Sequence, residues 1–256
     1  MNIDRLIPCL LVSSGGLYKT VKFKSPTYLG DPVNAVKIFS DKEADEIIVL
    51  DIEASEKGRE PDWDLLQDIA AQAFMPVCYG GGVSSLSQME RLYSLGIEKV
   101  ALNSVAHTDS ALIEHASKHF GSQSVVVCLD VRKPFFSSKY AVYIGRGRQR
   151  LVDSPTEIAQ RLEGLGAGEL VLNNIDRDGT MLGYDHDLIR QVSSALSIPV
   201  IALGGASSLA DMSRAIHESG AAAAAAGSLF SFRWPERAVL INYPKNRFEI
   251  SYVSAS

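Results

Sequence analysis

An excess of positive charge is missing from this chain. Its 25 basic residues stand against 30 acidic ones, a net charge of −5, so nothing marks a nucleic-acid or bilayer surface. Cysteine is scarce too. Cys9, Cys78 and Cys128 are an odd number with no CxxC spacing, which argues against a disulfide framework and fits a reduced, cytoplasmic compartment. Long apolar runs are also lacking: the longest nearly uncharged stretch, 198–210, is too short to cross a bilayer and is broken by Gly204 and Gly205. Met1, Asn2, Ile3, Asp4 and Arg5 lead straight into a strand-like run, so no signal peptide is expected. What remains is 46% hydrophobic and 21% charged, the make-up of a folded globular protein. At 256 residues it suits one large α/β domain over 1–256.

Short apolar runs alternate with amphipathic stretches along the whole chain. Strands are expected at 6–12, 47–52, 76–79, 99–102, 125–131, 170–172, 199–203 and 221–226. Helices are expected at 33–43, 64–73, 86–94, 110–119, 157–165, 188–195 and 209–217. The strands do not alternate in polarity, so both their faces are buried, as in parallel sheets. Asp31 before Pro32 and Ser154 before Pro155 each place a capping oxygen and then a proline at a helix start.

An internal repeat selects the architecture. Pro76, Val77 and the run from Gly81 to Leu86 return as Pro199, Val200 and the run from Gly204 to Leu209; Pro32 maps onto Pro155. Leu50, Asp51 and Ile52 fall on 172–175, and 9–12 line up with 128–131, pairing Leu11 with Asp130. Two (βα)4 halves, about 1–122 and 123–256, close naturally into an eight-stranded (βα)8 TIM barrel. The alanine run 221–226 favours helix by propensity, but the repeat makes it the eighth strand.

In such barrels chemistry sits on the loops after the strands. Gly82, Asn103 and Ser104 follow strands three and four; Gly204, Gly205, Gly227 and Ser228 follow strands seven and eight. Tight turns alone would explain either glycine set. Their duplication at matched positions favours two phosphate sites on opposite rims. Asp51, Asp130, Asp176 and Asp178 end strands or start the loops beyond them, as catalytic groups or as loop caps. Asp130 ends an apolar run, where desolvation raises a carboxyl pKa toward acid/base use. Residues 137–152 read as a hairpin with Arg132, Lys133, Arg148 and Arg150 around it, either a basic lid over an anionic ligand or a solvated excursion. The cysteines fall on alternate strands and so share an interior layer; small buried filler is favoured over a soft-metal site, and neither a metal nor a cofactor is assigned.

These stretches together resemble the cyclase subunit of imidazole glycerol phosphate synthase along nearly the whole chain. The matching segments are 5–10, 30–32, 45–46, 50–52 with Ala54 and Ser55, 80–82, 120–127 with Asp130, and 175–180. The resemblance implies a glutaminase subunit docked on the N-terminal barrel face, ammonia passing up the interior, and a substrate with two phosphates at the other end. It further implies an ammonia gate of Arg5, Glu46, Lys99 and Glu169, whose alternative role is to hold the barrel bottom closed. Lys19 matches a mobile-loop lysine, and Gly82, Asn103, Ser104, Gly205 and Ser228 match phosphate ligands.

One departure outweighs these matches. The family's cyclisation uses two aspartates, ending strands one and five; Asp130 is the second, and Leu11 stands at the first. Asn173 replaces a threonine. Leu10, Leu11, the segment 17–20 and the segment 42–46 look like a divergent paralogue of surface-polysaccharide gene clusters, which supplies ammonia to a separate amidotransferase that makes an acetamidino sugar. The rival expectation is a genuine lyase of histidine biosynthesis using Asp51 or Asp178 instead. A related sugar-phosphate isomerase would leave the charged ring unexplained.

Overall fold

The computed structural model describes residues 4–135, 137–233 and 236–244. Eight parallel strands close on themselves: β1 Leu6–Ser13, β2 Ile47–Asp51, β3 Val77–Gly80, β4 Lys99–Leu102, β5 Val125–Arg132, β6 Glu169–Asn174, β7 Val200–Leu203 and β8 Ala223–Ala226. Each pairs with the next, and closure is made where Leu6, Ile7 and Pro8 of β1 meet Ala224, Ala225 and Ala226 of β8. The alanine run is thus a strand.

The connecting helices are α1 Pro32–Asp41, α2 Trp63–Gln72, α3 Leu86–Ser94, α4 Ala111–Phe120, α5 Pro155–Gly164, α6 His186–Ser193 and α7 Leu209–His217. Asp31 caps α1 through the Val33 amide; Ser154 and Glu157 form a reciprocal capping box on α5. Short helical turns, Ser104–Thr108 and Ser228–Ser231, follow β4 and β8. Among the described residues no helix is long and apolar enough to cross a membrane.

Strand periodicity sorts the core into two shells. Leu6, Leu10 and Val12 of β1 face the helices, while Ile7, Cys9 and Leu11 join Ile48, Cys78, Cys128 and Ala225 in a separate cluster inside the barrel. Alanine suits β8 because it leaves room on both faces.

Two hairpins stand over the C-terminal mouth. The expected one is formed by Ala141–Ile144 and Gln149–Arg150 and pairs with β5. The other, first in chain order, is formed by Gly16–Val21 and Lys24–Gly30 and pairs with β1. The repeat extends to both, since Leu11 lies opposite Tyr18 and Asp130 opposite Tyr143. Phe23 of the first packs on Ala141, Tyr143 and Ile175 beneath the second.

Candidate functional site

The mouth of the barrel is divided chemically. On one side Asp130, half-buried at the end of β5, accepts hydrogen bonds from Asn103 Nδ2 at 2.8 Å and Asn173 Nδ2 at 2.9 Å. Burial pushes its pKa up to about 6; the two amides pull against that shift, and the charge of Asp178 adds to it. On the opposite side the matched position is Leu11, 8% exposed, whose neighbour across β2 is Leu50 just as Asn173 neighbours Asp130. The matched pair of positions is therefore polar on β5 and β6 and apolar on β1 and β2.

Lys19 lies in a strand and not in a loop. It sits in a strand of the first hairpin, 4% exposed, with its amine so close over Gly227 that a Cβ there would collide with it. A hairpin replaces the expected loop because Gly16, Leu17 and Tyr18 pair with β1 and Lys24–Gly30 pairs back on Gly16–Val21. Asp178 is also buried; desolvation raises its pKa while Lys19, the Thr20 hydroxyl and the Gly179 amide oppose the rise. Asp51 has a different use. Its Oδ1 accepts from the amides of Glu53 and Ala54, both at 2.9 Å, and Arg59 reaches its Oδ2 at 3.5 Å. The repeat matches it with Asn174, whose Oδ1 accepts from the amides of Asp176 and Arg177. Both side chains shape the turn after their strand.

The two glycine sets adopt matched conformations. Gly81 and Gly82 on one rim and Gly204 and Gly205 on the other all have positive φ, and a Cβ at Gly81 or Gly205 would strike backbone carbonyls. The Gly82 amide donates to Ser55 Oγ at 3.1 Å, and Ser104 Oγ accepts from the Gly145 amide at 3.4 Å. On the opposite rim Gly204, Gly205, Gly227 and Ser228 line a pocket with Asp178. Ser228, 7% exposed, has no hydrogen-bond partner for its hydroxyl among the described residues.

At the other end of the barrel four charges close a ring. Arg5 reaches Glu46 at 2.6 Å and Glu169 at 2.9 Å; Lys99 reaches the same two carboxylates at 2.9 Å each. Burial pulls the Arg5 and Lys99 pKa values down, but Glu169 and then Glu46 more than offset it, and both are raised. Asp45 accepts from the Leu6 amide and from Tyr243, whose hydroxyl also donates to the Leu6 carbonyl at 2.9 Å. The residues beside Arg5 and Glu46 are thereby tied down. Tyr243 is a support that motif reading missed, because its partners lie about two hundred positions away.

Between the two ends the thiols line the interior. Burial raises the Cys9 pKa to about 11 and those of Cys78 and Cys128 further. Among the described residues no group of three or more His, Cys, Asp or Glu side chains is arranged to hold a metal ion. The expected lid cations are largely engaged. Arg132 donates to the Gly147 carbonyl at 2.6 Å and lies over Tyr143, Lys133 lies over Tyr140, and Arg148 pairs with Glu56.

A closed (βα)8 barrel with paired glycine rims and a carboxylate at the β5 end matches a known lineage. The profile of the family described as "Histidine biosynthesis protein" covers residues 5–233. A Pseudomonas aeruginosa protein with the provisional name imidazole glycerol phosphate synthase subunit hisF2 is 49% identical over 94% of this chain and 95% of its own. A Leptospira borgpetersenii protein, provisionally named subunit HisF, is 45% identical over 94% of each chain. The imidazole glycerol phosphate synthase subunit HisF of Alkaliphilus metalliredigens is 39% identical over 91% of this chain and 92% of its own. The chain belongs to the HisF-type family of imidazole glycerol phosphate synthase cyclase subunits.

Proposed function

We propose that this chain is chiefly a conduit for ammonia. A glutaminase subunit docks on the N-terminal face, ammonia enters through the ring of Arg5, Glu46, Lys99 and Glu169, and it travels the interior to the C-terminal mouth. The interior suits a small neutral molecule. Its apolar side chains disfavour ammonium, and its thiols, with raised pKa values, stay protonated and uncharged at neutral pH. At the mouth a phosphorylated small molecule binds between Gly82, Asn103 and Ser104 on one rim and Gly204, Gly205, Gly227 and Ser228 on the other. The buried, unpartnered Ser228 hydroxyl supports the second of these sites.

The observation that carries this reading is the contrast between the two ends. All four ion pairs of the ring are in place, whereas Leu11 faces the catalytic candidate Asp130 with no second carboxylate at the matched position. Acid/base work shared by two groups and left to one commonly loses a hundred- to ten-thousandfold in rate, about two to four decades. The ammonia then passes to a separate amidotransferase that makes an acetamidino sugar for surface polysaccharide. Identities of 44–49% to relatives with provisional names, against 39–40% to relatives named HisF outright, support a divergent branch.

The deciding experiment supplies purified protein with the imidazole glycerol phosphate precursor and saturating ammonium salt. Very slow cyclisation, alongside glutamine-dependent ammonia release when a glutaminase is added, is expected. Robust turnover would overturn the conduit in favour of the second reading, a genuine lyase of histidine biosynthesis. That alternative draws on the buried Asp178, whose charge acts on Asp130 and which Lys19 faces in turn, to take over the missing acid/base role.

A further inference from the structure

The turn after β2 and the hairpin after β5 are clasped by one carboxylate. Glu56 holds Arg146 at 3.0 Å and also pairs with Arg148. The residues next to this clasp are the ones that touch the first glycine rim: Ser55 accepts from the Gly82 amide, and Gly145 donates to Ser104 Oγ. The two groups proposed to receive a phosphate there are therefore both engaged by the clasped segments.

Arg146 sits in an expensive place. It has φ +59° between Gly145 at +59° and Gly147 at +77°, a left-handed run that glycine adopts without steric cost. An arginine kept at such a position needs a use for its side chain, and one carboxylate between two guanidinium groups leaves a net positive charge at the rim. The opposite rim has a matching cation: the first hairpin lays the Lys19 amine on Gly227, as the second hairpin lays its tip on Ser104.

We propose that Arg146 and Arg148 are phosphate-binding residues of the rim formed by Gly82, Asn103 and Ser104, held by Glu56 until a phosphate monoester takes its place. On binding, the Gly82 amide leaves Ser55, the Gly145 amide turns to a phosphate oxygen, and the guanidinium groups exchange a carboxylate for a dianion. Guanidinium groups match phosphate oxygens in planar, two-pronged hydrogen bonds, and the ligand carries more charge than Glu56 does. This rests on the reading that the rim binds phosphate.

The test is a titration of the full chain with inorganic phosphate, followed at the backbone amides of Gly82, Gly145 and Gly205 by NMR. In the wild type all three signals should move, Gly82 and Gly145 with one shared affinity. Arg146→Gly keeps the left-handed tip, and with Arg148→Ala it should weaken binding at Gly82 by about tenfold or more while leaving Gly205 within about twofold. Glu56→Gln, which removes the competing carboxylate, should tighten binding at Gly82. Unchanged affinity at Gly82 in the double variant, or a loss of affinity in Glu56→Gln, would overturn the hand-over while the phosphate reading stood. Phosphate binding at neither rim would overturn both.

Discussion

Leu11 is the residue on which the proposed loss of cyclisation turns. It occupies the interior position of β1 that the repeat equates with Asp130, and its partner across β2 is Leu50. Leu11→Asp should restore cyclisation of the imidazole glycerol phosphate precursor by about a hundred- to ten-thousandfold over the wild type, measured with saturating ammonium salt. Leu and Asp have similar reach, so the backbone need not move. The new carboxylate enters a buried position beside Leu50, so the variant is expected to be less stable than the wild type. An unchanged rate would put the loss elsewhere in the mouth, beginning with Asn173.

Asp130 supports a pH prediction of definite sign. Its folded pKa of about 6 lies above the ordinary aspartate value of 3.8, so the folded state holds that proton more tightly than the unfolded chain does. The group's favourable contribution is complete below pH 4 and is lost as pH rises through about 6. Asp130→Asn should therefore stabilise the fold at pH 8, by on the order of 1–3 kcal/mol, and do little at pH 4. Denaturant unfolding at the two pH values checks this, and equal effects at both would contradict it. The same substitution is expected to abolish whatever cyclisation the wild type retains.

At the scale of elements, the ends of the strands do the work. β2, β4 and β6 each deliver one charge to the bottom ring at or just before their first residue, and Arg5 precedes β1. Glu46 and Glu169 are buried, so deleting a partner leaves carboxylates poorly compensated. Lys99→Met should cost about 3–5 kcal/mol of stability. Lys99→Glu, a charge reversal, should sharply reduce glutamine-dependent ammonia transfer while leaving chemistry with free ammonium salt unaltered. Equal loss with both nitrogen sources would make the ring a structural clamp and not a gate. At the top, the two hairpins meet through Phe23 and Tyr143, so each half of the barrel supplies one flap of the same cover.

On the scale of the whole molecule, chain closure depends on contacts between distant segments. Tyr243 is 2% exposed, bonds Asp45 and the Leu6 carbonyl, and packs edge-on against Phe39. It ties the last described segment to the start of β1. Tyr243→Phe keeps the ring and removes only the hydroxyl, and should lower stability by about 1–3 kcal/mol, since buried acceptors lose their donor. A thermal melt of the variant checks this; no change would mean that the aromatic packing alone holds the segment.

Much of this architecture was legible in the residues themselves. Uninterrupted apolar runs announced parallel strands because a strand buried on both faces has no polar side to show. The duplicated glycine segments located the rims, and the repeat overruled the helix propensity of the alanine run, since β8 must fit between β7 and β1 whatever its local preference. The departure at Leu11 was legible only through the family resemblance together with the repeat, which pairs Leu11 with Asp130. The hairpin over 16–30 was not visible, because its strands gain stability only from pairing with β1 and with each other. That pairing buries Lys19 and sets its amine on Gly227, where a loop reading left it mobile.

Sequence by itself determined the (βα)8 barrel and the positions of its glycine rims, because strand patterning and an internal repeat are both written along the chain. Only the tertiary structure decided that Asp51 shapes a turn, that Asn103 and Asn173 both hold Asp130, that Arg5, Glu46, Lys99 and Glu169 form one closed ring, and that Glu56 spans to Arg146 and Arg148. Each of these depends on distances between groups far apart in the chain, which barrel closure sets and no local pattern encodes.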